Sequence, residues 1–153
     1  MIPFADPSAS YQAHKSEIDR TIKQVLDSGW YVLGSEVDVF EKEFASFHSE
    51  DFHAVGVANG TDAIAMCLRG LGLGIGDEVI TPSHTAVATV AGIEQAGCTP
   101  VFADIDPRTR CIDPDSMEKR VGANTRAIMP VHIYGQPANM PGILEIANHH
   151  RLE

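Results

Sequence analysis

Four short loops carry the residues that could do chemistry: Asn59-Gly60-Thr61-Asp62, Thr81-Pro82-Ser83-His84-Thr85, Asp104-Ile105-Asp106-Pro107 and Pro130-Val131-His132-Ile133-Tyr134-Gly135-Gln136. In the first, Gly60 has no Cβ and lets a ligand come close to the backbone. The start of the helix that follows offers free N–H groups and a positive dipole end to an anion. The same stretch also reads as a plain cap, with Thr61 or Asp62 closing the helix start, and the local pattern alone favours the cap. Its spacing is neither GxGxxG nor a P-loop, so nicotinamide-dinucleotide and Walker-type sites are not supported.

His84 sits in a polar loop after an apolar run, where it could act as an acid–base group or touch a ligand ring. Capping or packing is the commoner use of such a histidine. Asp104 and Asp106 could hold a cation. Asp-Pro also opens turns, no third ligand is evident, and the expectation is a turn with no metal. His132, Tyr134 and Gln136 alternate, so in an extended segment they share one face and could line a pocket. A satisfied histidine beside a packed tyrosine fits the same pattern. His149-His150 suits the negative end of a helix and is given no ligand role. There is no HExxH and no serine–histidine–aspartate motif, and Lys15, Lys23, Lys42 and Lys119 fall on expected exposed helical faces rather than in strand-end loops.

The elements that must position these loops are legible from periodicity. Residues 1–12 read as an extended arm. Residues 13–28 read as an amphipathic helix with Ile18, Ile22, Val25 and Leu26 on one face, stopped by Gly29. Gly34 marks a loop and Ser35 a possible cap for a second helix bearing Val37, Phe40, Phe44 and Phe47. From there short apolar runs alternate with helical segments. Strands are expected at Ala54–Ala58, Glu78–Thr81, Pro100–Asp104 and Ala127–His132. Helices are expected at Thr61–Gly70, Ala86–Ala96, Pro114–Val121 and Pro141–His150. Such alternation implies βαβ units and a parallel α/β sheet covered on both faces. Leu152 reads as the first residue of a further strand.

Composition narrows the classes. The chain has 153 residues and 44% hydrophobic residues, enough for a folded core. A formal net charge of -10 argues against nucleic acid or an anionic membrane as partner. Cys67, Cys98 and Cys111 are widely spaced with no CxxC, so zinc and a disulfide framework are not expected, and reduced thiols in the cytoplasm are. The start of the chain has no signal-peptide pattern, and no apolar run approaches spanning length.

Taken in order, the segments "GWYVLGSEVDVFEKEFASF", "GVANGTDAIAMCLRGLGLGIGDEVITPSHTAVAT", "AGCTPVFADIDP" and "AIMPVHIYGQPANM" resemble the sugar aminotransferases of the DegT/DnrJ/EryC1/StrS family, from Ile2 to Glu153. The combination is specific where no single piece is. The resemblance implies the large domain of a type I pyridoxal 5'-phosphate (PLP) transferase, α/β/α with a mostly parallel sheet, incomplete in this chain. It divides the chain into an N-terminal arm and helix (1–35) and the N-terminal half of the PLP-binding domain (36–153), with the other half and a small domain absent.

The implied activity is transfer of an amino group from glutamate to a nucleotide-linked ketodeoxysugar. The full-length form is implied to be a cytoplasmic homodimer. A PLP-dependent sugar dehydratase, or a truncated or regulatory relative without catalysis, is the alternative. The resemblance places Gly60, Thr61 and Asp62 on the PLP phosphate, and His84 and Ala86 at its ring. Ala86 stands where an aromatic residue is common in the family. Tyr31, His132 and Gln136 are implied for the substrate pocket. The Schiff-base lysine is implied to lie beyond Glu153, which leaves no catalytic residue in this chain and an inactive fragment as the expectation. The resemblance also implies that the strand at Ala54–Ala58 pairs outside the other three, leaving sheet edges open.

Overall fold

A computed structural model describes residues 4–49 and 51–153, which form two compact units, Met1–Gly56 and Val57–Glu153.

The first unit holds helices α1 (Pro7–Ala13), α2 (Lys15–Ser28) and α3 (Ser35–His48). The expected extended arm is therefore wrong over its second half. Asp6 caps α1 through Ala9 N–H, and Pro7 occupies the first turn, where its missing N–H costs nothing. A break at His14 separates α1 from α2, and α2 ends at Gly29 with φ 68°. Ser35 is the first residue of α3 and not its cap. Gly34 is the cap, and a Cβ there would lie 2.9 Å from the Trp30 carbonyl oxygen. Along α3, Phe40, Phe44 and His48 stack at successive turns.

The second unit is a three-layer α/β/α arrangement. Its parallel sheet has the order β2-β1-β3, with β1 (Glu78–Pro82) between β2 (Thr99–Ala103) and β3 (Thr125–Ile128). β1 pairs Ile80 with Val101 on one side and with Ile128 on the other. Side chains alternate across the pleat, so adjacent residues of β1 serve different layers. Val79 joins Ala65 and Leu68 of α4 (Gly60–Gly70) and Ile93 and Ala96 of α5 (Val87–Ala96) in one core. Ile80 joins Met117 of α6 (Pro114–Glu118) and Ile143 of α7 (Met140–His150) in the other. β1 is central and buried from Val79 to Pro82, whereas β2 carries exposed Thr99 and Phe102.

The expected strand at Ala54–Ala58 does not form. Among the described residues it has no ladder partner, and Val55 and Val57 are exposed. An apolar run becomes a strand only where another strand's free N–H and C=O groups meet it. The expectation at Leu152 fares differently. Next to it, Glu153 donates to Arg126 O at 3.0 Å and accepts from Ile128 N at 2.8 Å along the β3 edge. No helix among the described residues is long and apolar enough to cross a membrane.

Candidate functional site

The α4 start is built by a reciprocal cap. Asn59, extended at φ -163° and ψ 172°, accepts the Asp62 N–H at 2.9 Å and donates its amide to the Asp62 carboxylate at 2.9 Å. Asn59 is thus the cap, not Thr61 or Asp62, in a variant of the capping box. The other Asp62 oxygen accepts from Gln95 Nε2 of α5 at 3.2 Å. The Asn59 carbonyl takes the Ala63 N–H. The N–H groups of Gly60 and Thr61 and the Thr61 hydroxyl have no partner among the described residues. A Cβ on Gly60 would meet nothing within 4 Å, and its φ is not left-handed, so nothing inside the chain requires glycine there. Of the three residues expected at an anion, Gly60 and Thr61 offer free N–H groups, while that of Asp62 is already engaged.

α5 holds this turn in place. A Cβ on Gly92 would lie 2.7 Å from Ile64 Cβ and 3.0 Å from the Thr61 carbonyl, so α4 and α5 cross at a contact only glycine admits. Gly92 and Gln95 escaped the sequence reading. Their one signal was a glycine inside a helical pattern, which usually has a packing reason.

His84 follows the carboxyl end of β1, where Thr81 is buried and donates to Met129 O at 3.0 Å. The His84 Nε2 lies 3.3 Å from the Tyr134 hydroxyl, with ring centroids 5.8 Å apart. Ala86 is exposed and forms the extended N-cap of α5, two residues on.

His132, Tyr134 and Gln136 do not share a face, contrary to the expectation from their alternation. Ile133–Gly135 is a 3-10 turn with Tyr134 at φ 53° and Gly135 at φ 76°, and a period of two holds only in extended backbone. The His132 Nδ1 accepts the Ala138 N–H at 3.0 Å, which puts the proton of the neutral ring on Nε2. Gln136 turns its amide to Pro137 O, and its own carbonyl accepts from the buried Cys111 thiol at 3.3 Å. Tyr31 lies in the first unit, exposed, with its hydroxyl donating to Leu26 O.

The acidic loop is a turn. Asp106 accepts from the N–H groups of Arg108 and Thr109, and these bonds hold its carboxyl below the usual range. No group of residues able to hold a metal occurs among the described residues. The lysines are ordinary surface cations. Lys15 pairs with Asp19 and Tyr11, which raise its pKa, and Lys23 pairs with Asp27 at 2.9 Å.

The chain is 46% identical over 151 residues to the dTDP-3-amino-3,4,6-trideoxy-alpha-D-glucose transaminase of Streptomyces venezuelae, covering 99% of the chain and 40% of that relative. The solved structure of S. venezuelae DesV superposes with a TM-score of 0.92 at 46% identity, covering 99% of this chain and 41% of that one. NtdA of Bacillus subtilis, solved with its cofactor PMP bound, gives 0.86 at 36% identity over 92% of the chain and 32% of its own. The chain therefore spans about two fifths of the length of the curated relatives it matches, and has the α/β fold of the corresponding part of these structures. The model of the DegT/DnrJ/EryC1/StrS aminotransferase family matches residues 12–153, and the chain belongs to that family.

Proposed function

We propose that this chain carries the phosphate-holding part of a PLP-dependent aminotransferase that moves an amino group from glutamate to a nucleotide-linked ketodeoxysugar. The observation that carries this reading is the start of α4, where the N–H groups of Gly60 and Thr61 are free while the asparagine cap takes that of Asp62. Two adjacent unpartnered donors at a positive helix end suit a phosphate dianion. PLP, when bound, would supply the electron sink for amino transfer.

In this reading the chain's own groups have separable tasks. Gly60 and Thr61 donate to the phosphate, with the Thr61 hydroxyl beside them. Asp62, tied to Asn59 and Gln95, holds the first turn open rather than touching the ligand. His84 and Ala86 lie at the ring end. His132, with its proton on Nε2, offers a donor to a sugar hydroxyl, and Tyr31 and Gln136 are further candidates for the substrate. None of Lys15, Lys23, Lys42 and Lys119 is proposed to bond the cofactor; Lys15 and Lys23 are paired with carboxylates on α2, and Lys119 ends α6. Asp19 and Tyr11 hold Lys15 charged, and a charged amine is no nucleophile.

The test is absorbance titration of the 153-residue chain with pyridoxal 5'-phosphate, followed by borohydride reduction and peptide mapping. The expected result is saturable binding that inorganic phosphate competes away, with no single lysine labelled stoichiometrically. Binding that phosphate does not touch would overturn the assignment of Gly60 and Thr61.

A further inference from the structure

The turn after β3 is fastened from several directions. Gly135 N–H bonds His132 O, Gln136 N–H bonds Ile133 O, Ala138 N–H bonds His132 Nδ1, and the Cys111 thiol bonds Gln136 O. Within it Tyr134 takes a left-handed conformation, φ 53° and ψ 23°, which a bulky L-residue disfavours and which persists only where the surroundings over-determine it. Its side chain is 81% exposed, so no burial of the ring repays that conformation. What the conformation does achieve is the approach of the phenol to His84 across the carboxyl ends of two adjacent strands, β1 and β3, which Thr81 already ties together through Met129 O. His84 makes no other side-chain hydrogen bond among the described residues.

Resting on the reading that PLP binds this unit with its ring toward His84, we propose that Tyr134 is a positioning residue for His84. The phenol donates to Nε2 and holds the neutral imidazole with its proton on Nδ1, in one orientation toward the cofactor ring. An imidazole nitrogen that accepts cannot carry the proton, so with the phenol as donor the pair fixes the tautomer as well as the rotamer. Tyr134 need not touch the ligand itself.

Long-range 1H–15N spectra of the 153-residue chain at about pH 8, where an ordinary histidine is neutral, read this directly. Wild type is expected to show His84 protonated at Nδ1. Tyr134→Phe should move it to the mixed tautomers of an unpartnered imidazole. Tyr134→Asn, which tolerates the left-handed conformation, should do the same with the turn intact. Unchanged His84 nitrogen shifts in both variants would overturn the proposal. A second arm titrates each protein with pyridoxal 5'-phosphate and with inorganic phosphate. The expected loss in Tyr134→Phe is about two- to tenfold for pyridoxal 5'-phosphate, the worth of one hydrogen bond, and none for phosphate. An equal loss for both probes would overturn the assignment to the ring end. If the wild-type chain binds neither probe, the cofactor reading itself fails, and the nitrogen shifts still decide whether Tyr134 orients His84.

Discussion

A Cβ added to Gly92 would lie 2.7 Å from both Cβ and Cγ2 of Ile64, so the crossing of α5 over α4 exists at its present separation only because residue 92 has no side chain. Gly92 is buried, and the Thr61 carbonyl lies 3.0 Å from the same point. Glycine inside a helix costs about 0.5–1 kcal/mol relative to alanine, so an exposed Gly→Ala change would stabilise. Here Gly92→Ala forces the two helices apart, and overpacking of this kind costs about 1–3 kcal/mol. The expected outcome is a lower unfolding midpoint in urea together with weaker binding of phosphate, because the first turn of α4 moves with Ile64. A midpoint equal to or above wild type would mean that α4 slides aside freely.

Gly60 should respond in the opposite sense. Proline is favoured at the first position of a helix, and the residue before it must be extended, as Asn59 is at φ -163° and ψ 172°. The space where a Cβ would sit is open. Gly60→Pro should therefore keep the fold and add up to about 1 kcal/mol of stability by restricting the unfolded chain. It also removes one of the two free N–H groups. Phosphate and pyridoxal 5'-phosphate should both bind more weakly, by about two- to tenfold for one hydrogen bond. Calorimetry of the variant separates the two effects. Retained affinity in a stabilised protein would show that the Gly60 N–H faces no anion.

How much of this was legible in the sequence depends on whether the determining interaction was local. The helices α4, α5 and α7 and the strand β1 follow from apolar periodicity, and each lies within two residues of its expected bounds. Ala54–Ala58 failed because strand formation needs a neighbour, and no pattern within a run reports whether one is present. The reading of residues 7–12 as part of an arm failed for a local reason, since Asp6-Pro7 is a helix start signal that the prolines disguised. At the site, the Asn59–Asp62 pair was visible as spacing but not as a reciprocal bond. The Gln95 clamp, the Gly92–Ile64 contact and the meeting of His84 with Tyr134 join residues 28 to 50 positions apart and had no sequence signal of comparable strength. The alternation of His132, Tyr134 and Gln136 misled because Tyr134-Gly135 turns left-handed, which a non-glycine residue seldom does.

The Asp106 turn gives a prediction in acid. Its carboxylate accepts from Arg108 and Thr109 N–H groups in the folded chain, which lowers its pKa below the ordinary carboxylate value of about 4. A group with a depressed folded pKa contributes stability that is fully present above its unfolded pKa and is lost as the pH falls through the folded one. The difference in urea midpoint between wild type and Asp106→Ala should thus be constant from neutral pH down to about 5 and should close below about 4. The bridge between Ile105 and Ile112 that this turn connects should loosen in parallel, read by amide exchange at Asp113, whose N–H bonds Asp104 O. A difference that widened in acid would mean that Asp106 stabilises the turn in its protonated form.

The thiols provide a last check on which parts of the second unit are packed. Cys67 is exposed on α4, whereas Cys98 and Cys111 are 5% and 1% exposed in the two separate cores on either side of the sheet. Burial pushes the Cys98 thiol up, and the nearby Asp77 carboxylate adds to the shift in the same direction. Because the thiolate is the reacting species, alkylation in the native chain at neutral pH should modify Cys67 first, and Cys98 only at a rate set by unfolding. Adding urea past the midpoint should bring the rates of all three together. If Cys98 instead reacted in the folded protein as fast as Cys67, the α4–α5 layer could not be closed over β1, and the contact of Gly92 with Ile64 that holds the α4 start would be lost with it.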